Sequence, residues 1–314
     1  MKKIVSICLL ALLILGFSAC DSGEAQNNSS ADDISGQQSE QSEEVSIDYM
    51  EKAEKVISSL DYENTGKMGD VDGPAFAVYS NTGYSGASAT LDLEGMEIKT
   101  LMDDGKFLNG YVFLGIDVYE GSWWQNCVDV GLCWSGTSGG WHIFYNMYEA
   151  VGKDTPKWYE SSKKLPKNDT YVMTLKLIED EKALLTIEAA NSNFKDSVEV
   201  EVKGAKKDGS NTAFLFNVAL DYPQNTKVDV NGNPSDNWKD ITYGNTDKGV
   251  CLRSFRAYDL TLYQGETALD WTNDKNAAVS IWPDKKEGFD YAPTQVGLFD
   301  GTEYFINLDM NRKD

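Results

Sequence analysis

From residue 87 onward the chain alternates between apolar and polar positions. Ala87, Ala89, Leu91 and Leu93 are separated by Ser88, Thr90 and Asp92, the period of two that sends side chains to opposite faces of a strand. In 110–119, Val112, Leu114, Ile116 and Val118 share one face, while Tyr111, Phe113, Asp117 and Tyr119 share the other. Segments 127–134, 140–148, 170–179, 183–190, 197–203, 212–222, 250–263, 277–282, 295–299 and 303–309 continue the pattern with Val, Ile, Thr and aromatic residues. Turn formers separate them: Glu120-Gly121, Gly136 to Gly140, Pro166 to Asp169, Asp208-Gly209, Asn231-Gly232 and Asp300-Gly301. Strands in this number, with no helices between them, predict an antiparallel all-β domain of two packed sheets, a β-sandwich. No fixed period recurs along the chain, which argues against a propeller or solenoid.

One segment departs from period two. Tyr49, Ala53, Val56, Ile57 and Leu60 fall on one helical face. Asp48 stands three residues before Glu51, a capping-box spacing. The spacing predicts a short N-terminal helix over 48–60, packed on the edge of a domain spanning 49–314. Before it, residues 20–48 are rich in Ser, Gln, Asn and Gly, and 21–48 hold eight acids and no base. Such a stretch cannot bury enough apolar surface to offset the cost of ordering, and reads as a disordered acidic tether. As a flexible coil it reaches roughly 30 Å.

The first 19 residues follow a third pattern. Lys2 and Lys3 precede an apolar run from Ile4 to Phe17, broken only by Ser6 and Gly16; Ser18 and Ala19 then lead to Cys20. This is a signal peptide. It is too short to span a bilayer comfortably, which takes about 20 apolar residues. The run FSAC resembles the lipobox of bacterial lipoproteins, with Phe17 where that family most often has Leu. The resemblance implies cleavage before Cys20, a diacylglyceryl thioether on its sulfur, and acylation of the new N-terminus by a palmitate-like chain. Each buried CH₂ contributes about 0.8 kcal/mol, and more than one chain gives stable anchoring. The expected partner of Cys20 is therefore the lipid bilayer. The expected location is the extracytoplasmic face of a bacterial cell membrane, at the cell surface.

The chain carries 28 Lys and Arg against 50 Asp and Glu. Without the signal and tether, the domain keeps a net charge near −16, by count of its residues. That excess argues against nucleic acid as a partner, since phosphate recognition wants a basic footprint. It also argues against docking on anionic lipid. Three cysteines remain in the domain: Cys127, Cys133 and Cys251. An odd number leaves at least one unpaired. On one continuous strand, Cys127 and Cys133 would stand about 20 Å apart, beyond disulfide reach. A bridge between them would need a turn at Gly131, and buried thiols are the expectation. No zinc spacing occurs, and His142 is the only histidine.

Candidate chemistry concentrates in 119–148. Trp123, Trp124, Trp134, Trp141 and Tyr145 stand there with Asp129 and Asn146, and Trp158 and Tyr159 follow. Sugar rings stack their C–H faces on indole and phenol rings, and their hydroxyls want amide and carboxylate partners. An aromatic floor edged by Asp129 and Asn146 is what a glycan groove requires. Aromatics at period two also fill cores, so one face of 141–148 must pack between the sheets.

Order, length and rhythm over residues 74–310 resemble the concanavalin A-like lectin/glucanase jelly roll. The likeness rests on GYVFLGIDVYEG, VDVGLCW, GGWHIFYN, YVMTLKLIEDEKALLTIEA and RSFRAYDLTLYQG. It implies noncatalytic carbohydrate binding at the cell surface, or a polysaccharide lyase or hydrolase. A structural or protein-binding surface module is the remaining alternative. The glutamate pair of retaining glucanases of this fold, E-x-D-x-(x)-E, is missing. Glu179, Asp180 and Glu181 are consecutive and read as a hairpin tip. A lyase would draw on His142 and Tyr145 with Arg253. No G-x-S-x-G elbow supports a Ser–His–acid triad. Cofactors are not called for, with one weak calcium alternative. Asp229, Asn231, Asn233, Ser235 and Asp240 fall at calcium-loop offsets, but Pro234 replaces the glycine and Asp240 the usual Glu.

Overall fold

The computed structural model describes residues 54–55, 74–101, 107–136, 138–149, 158–221, 250–282 and 294–309. Cys20, the tether and the 229–240 segment lie outside the described residues. So does most of the 48–60 segment. Its two described residues correct the helix expectation. They form strand β1 (Glu54–Lys55), paired antiparallel with Leu298 and Gly297. An open sheet edge offers a row of backbone groups to pair with, and here it overrides helical spacing.

The remaining strands follow in order. They are β2 (Ala75–Ser80), β3 (Gly86–Asp92), β4 (Glu97–Lys99), β5 (Asn109–Glu120), β6 (Trp123–Ser135), β7 (Gly140–Glu149) and β8 (Trp158–Lys164). Then come β9 (Thr170–Glu179), β10 (Lys182–Ala189), β11 (Lys195–Glu201), β12 (Thr212–Asp221), β13 (Cys251–Gln264) and β14 (Thr267–Asp270). The last are β15 (Asn276–Trp282), β16 (Thr294–Phe299) and β17 (Glu303–Asp309). They build two antiparallel sheets, as the alternation predicts. One has ten strands in the order β1-β16-β17-β13-β3-β9-β10-β11, with β4 and β14 also paired to β13. The other has seven, in the order β15-β2-β12-β5-β6-β7-β8.

The two sheets bury one large apolar cluster between them. The seven-stranded sheet contributes Val112, Leu114, Ile116, Val128, Val130, Phe214 and Phe216, and the ten-stranded sheet contributes Leu91, Met173, Leu175, Leu185, Phe255 and Ile306. These are the apolar phase of each alternating strand. At about 25 cal/mol per Å² of buried apolar surface, this face is the main stabilising term. Trp271 is fully buried with them and satisfies its indole N–H on Asn276 Oδ1 at 2.8 Å. Glu179 to Glu181 form the β9–β10 hairpin tip, with Glu181 at φ 59°. Among the described residues, the three cysteines are thiols: Cys133 and Cys251 are buried and Cys127 is half-buried. Gly131 lies within β6 rather than at a turn, so Cys127 and Cys133 sit on one continuous strand.

Candidate active site

Strands β5, β6 and β7 are sequential neighbours in the seven-stranded sheet, and their outward faces meet by register. Gly115 stands opposite Asp129, and Asp129 opposite Asn146. Asp117 stands opposite Cys127, which in turn faces Tyr148. Asp117 and Asp129 are therefore diagonal neighbours on one face, about 7–8 Å apart by sheet geometry. The missing side chain at Gly115 makes room. A Cβ there would come within 3.2 Å of Asp129 Oδ1 and of Leu215.

A β-bulge sets the third member. Val118 pairs with Asn126, but Tyr119 pairs with Trp124, so Gln125 is skipped. The skip reverses the phase of the strand. It puts Trp124 on the outward face, where its Nε1–H donates to Asp117 Oδ1 at 3.1 Å. On the other side, the Tyr148 hydroxyl bonds to Asp129 and accepts from Asn146 Nδ2 at 2.6 Å.

Both carboxyls resist ionisation. Burial pushes Asp117 up to about 7, against the pull of the Trp124 hydrogen bond. Burial first, and then the charge of Asp117, pushes Asp129 up to about 8, against the pull of Tyr148. Two carboxyls in one half-buried site cannot both carry charge cheaply, so they titrate as a pair. Near neutral pH the pair holds one proton to give and one lone pair to receive one, the division of labour that general acid–base chemistry needs. Burial also raises Tyr119, with Asp117 and Cys127 adding to the effect.

An aromatic floor lies beside the pair, on the same face. Phe113 and Phe144 meet edge to face at 5.9 Å, and Trp158 stacks on Phe144 at 5.3 Å. Tyr111 touches both Phe144 and Trp158. Gly131 stands between Phe113 and Phe144 by register, and a Cβ there would strike Phe113 Cα at 2.5 Å. Trp158 is 43% exposed and opens this cluster to solvent.

The sequence-derived groove is redistributed. Trp124, Asp129 and Asn146 share the outward face, whereas Trp123, 74% exposed at the start of β6, falls on the opposite phase from Trp124. Trp134, Trp141 and Tyr145 instead face the inter-sheet core. Trp134 and Trp141 pack edge to face at 5.7 Å, and Tyr145 stacks on Tyr159 at 5.1 Å. One face of β7 had to fill the core, and it is the face carrying Trp141 and Tyr145. The lyase grouping of His142, Tyr145 and Arg253 is also corrected. His142 and Tyr145 point to opposite faces of β7, and Arg253 lies on the other sheet, bonded to Asp309 and Glu97. Asp117 joins this face without being singled out by the sequence pattern. Its signal was an acid on the aromatic phase of 110–119, across a turn from Asp129. Among the described residues, no group of three or more His, Cys, Asp or Glu is arranged to hold a metal ion.

No protein-family model matches the chain, and no curated protein matches it. Solved structures do. Scytalido-glutamic peptidase with a peptide-based transition state analogue aligns at 13% identity and a TM-score of 0.44, covering 76% of this chain and 99% of that one. SCP-B, a member of the Eqolisin family of peptidases in complex with a tripeptide, aligns at 13% identity and a TM-score of 0.43, with coverages of 76% and 99%. Tailspike protein 2 of the Escherichia coli O157:H7 bacteriophage CAB120 aligns at 11% identity and a TM-score of 0.29, covering 66% of this chain and 28% of that one. Likeness at these TM-scores assigns no activity and no residue role to this chain.

Proposed function

We propose that the protein is a lipid-anchored, extracytoplasmic hydrolase of glycans, with Asp117 and Asp129 as its acid and base. The observation that carries this reading is the meeting of two carboxyls on one half-buried sheet face, each with its own neutral hydrogen-bond donor, Trp124 for Asp117 and Tyr148 for Asp129. The anchor is supported by the FSAC sequence ending at Cys20. Glycan as substrate is supported by Trp158, 43% exposed and backed by Phe144 and Tyr111 next to the pair, which offers a stacking face to a sugar ring. One carboxyl protonates the leaving oxygen while the other activates water, or attacks directly.

The test is a reducing-end assay on a panel of bacterial and host surface polysaccharides. Asp117→Asn and Asp129→Asn should each lower turnover about 10²- to 10⁴-fold, the usual worth of a positioned acid or base. Circular dichroism should stay unchanged. Cleavage that survives both substitutions overturns the assignment. The exposed ring of Trp158 favours a second reading, glycan binding without cleavage. It predicts retention on a glycan array, lost in Trp158→Ala, with no new reducing ends from any bound glycan.

A further inference from the structure

A separate constellation occupies the far end of the same face. His142 lies four residues along β7 from Asn146, about 13 Å at the strand rise of ~3.3 Å per residue. It is buried, and both ring nitrogens are engaged. Nδ1 is 2.7 Å from the carbonyl oxygen of Ser161, and Nε2 is 2.8 Å from Ser138 Oγ. A carbonyl oxygen only accepts, so Nδ1 carries the hydrogen and the neutral ring presents Nε2 as an acceptor. The Ser138 hydroxyl then donates to Nε2. This is the relation of a nucleophile to a base that is itself held in one tautomer by a third group.

The strands explain why these groups converge. His142 pairs with Lys164, yet Phe144 pairs with Glu160. The extra residues in β8 swing the Ser161 carbonyl toward the imidazole. Lys164 donates its ammonium to the carbonyl oxygen of Ser138, which holds a positive charge beside the hydroxyl. Its alkyl stem crosses Gly140, where a Cβ would meet Lys164 Cδ at 2.9 Å. Ser138 itself is exposed at the β6–β7 hairpin tip, next to Gly139 at φ 62°. The base is sheltered and the nucleophile is open.

We propose that Ser138 is a nucleophile with His142 as its general base, and that it takes acyl groups from carboxylic esters. Ser138 Oγ bonds to the ester carbonyl carbon while its proton passes to His142 Nε2. The carbonyl π pair moves onto oxygen, where the Lys164 ammonium meets the negative charge. Collapse breaks the bond to the alcohol oxygen, which takes the proton back from His142 and leaves acyl-Ser138. Water, deprotonated by the same imidazole, then releases the carboxylic acid. Because Ser138 stands at an exposed tip, the fitting substrate class is a small acyl ester displayed on a larger chain.

The experiment uses the full-length protein and a fluorophosphonate probe, with the adduct mapped by mass spectrometry. The expected result is an adduct on Ser138, absent in Ser138→Ala and formed at least about 100-fold more slowly in His142→Gln. Lys164→Met, a change at an exposed side chain, should slow labelling about tenfold or more. Three results overturn the proposal. One is an unlabelled Ser138 in the unaltered protein, and another is an unchanged labelling rate in folded His142→Gln. Where that variant does not fold, the third is an unchanged rate in Lys164→Met.

Discussion

The outer faces of the two sheets handle charge in opposite ways. On the ten-stranded sheet, Arg253 lies between two acids: Nε and Nη2 donate to Asp309 Oδ2 at 2.9 and 2.6 Å, and Nη1 reaches Glu97 at 3.4 Å. Arg256 is likewise held by Glu303 and Asp92. Strands β9 and β10 alternate cleanly, with Thr174, Lys176, Thr186 and Glu188 turned toward solvent. On the seven-stranded sheet, Asp117 and Asp129 share a half-buried patch with rings and a thiol, and bond to the neutral donors Trp124 and Tyr148. Paired surface charge is ordinary on a folded protein, whereas neighbouring half-buried carboxyls with raised pKa values cluster at functional sites. The contrast points to the seven-stranded face as the working surface.

That contrast can be broken by substitution. The largest stability effect is expected at Phe144, which faces outward yet is 2% exposed. Phe144→Ala should cost about 3–5 kcal/mol in a urea melt, whereas Thr174→Ala on the other outer face should stay within about 0.5 kcal/mol. A small loss in Phe144→Ala would mean that the seven-stranded face is an ordinary solvent surface. Next, Arg253→Ala removes the guanidinium that holds Asp309, itself 2% exposed. It should cost about 3 kcal/mol.

The carboxyl pair should give a pH signature of its own. Both folded pKa values, about 7 and about 8, lie above the unfolded aspartate value of about 3.9. The folded state therefore binds more protons across the window between. Its share of stability is complete below about pH 4 and is lost as the pH rises through 7 to 8. Thermal melts should show the Asp117→Asn/Asp129→Asn double variant gaining on the unaltered protein from pH 5 to pH 9. Parallel melting curves across that range would deny the pair its raised pKa values. The smallest effect is expected at Trp124→Phe, which removes the donor to Asp117. The lower limb of the pH–activity profile should move up by about one unit, the equivalent of a hydrogen bond to a charged group.

Most of the strands were legible because period two is a local signal. Segments 170–179 and 303–309 coincide with β9 and β17, and Asp300-Gly301 is the turn before the latter. Strands β1, β2, β4, β8 and β14 carry no such signal. β2 is AFAVYS, a continuous run buried along its whole length; such a run has no alternation to detect. β8 is WYESSKK, a largely exposed edge strand with few apolar positions. The site was half legible. Asp129, Asn146 and Trp124 could be named from composition, but Trp134, Trp141 and Tyr145 could not be told apart from them.

By itself the sequence determined the class of the fold and the division of each strand into two faces, because alternation is written residue by residue. It also determined that Cys127 and Cys133 would not meet along a straight strand. Only the tertiary structure decided which face of β7 turns inward, since both carry rings and either could fill a core. It decided too that skipping Gln125 brings Trp124 round to Asp117, and that the β5–β6 register sets Asp117 beside Asp129. A one-residue change of register exchanges every inward and outward side chain, and pairing between strands is a property of two segments that neither holds alone.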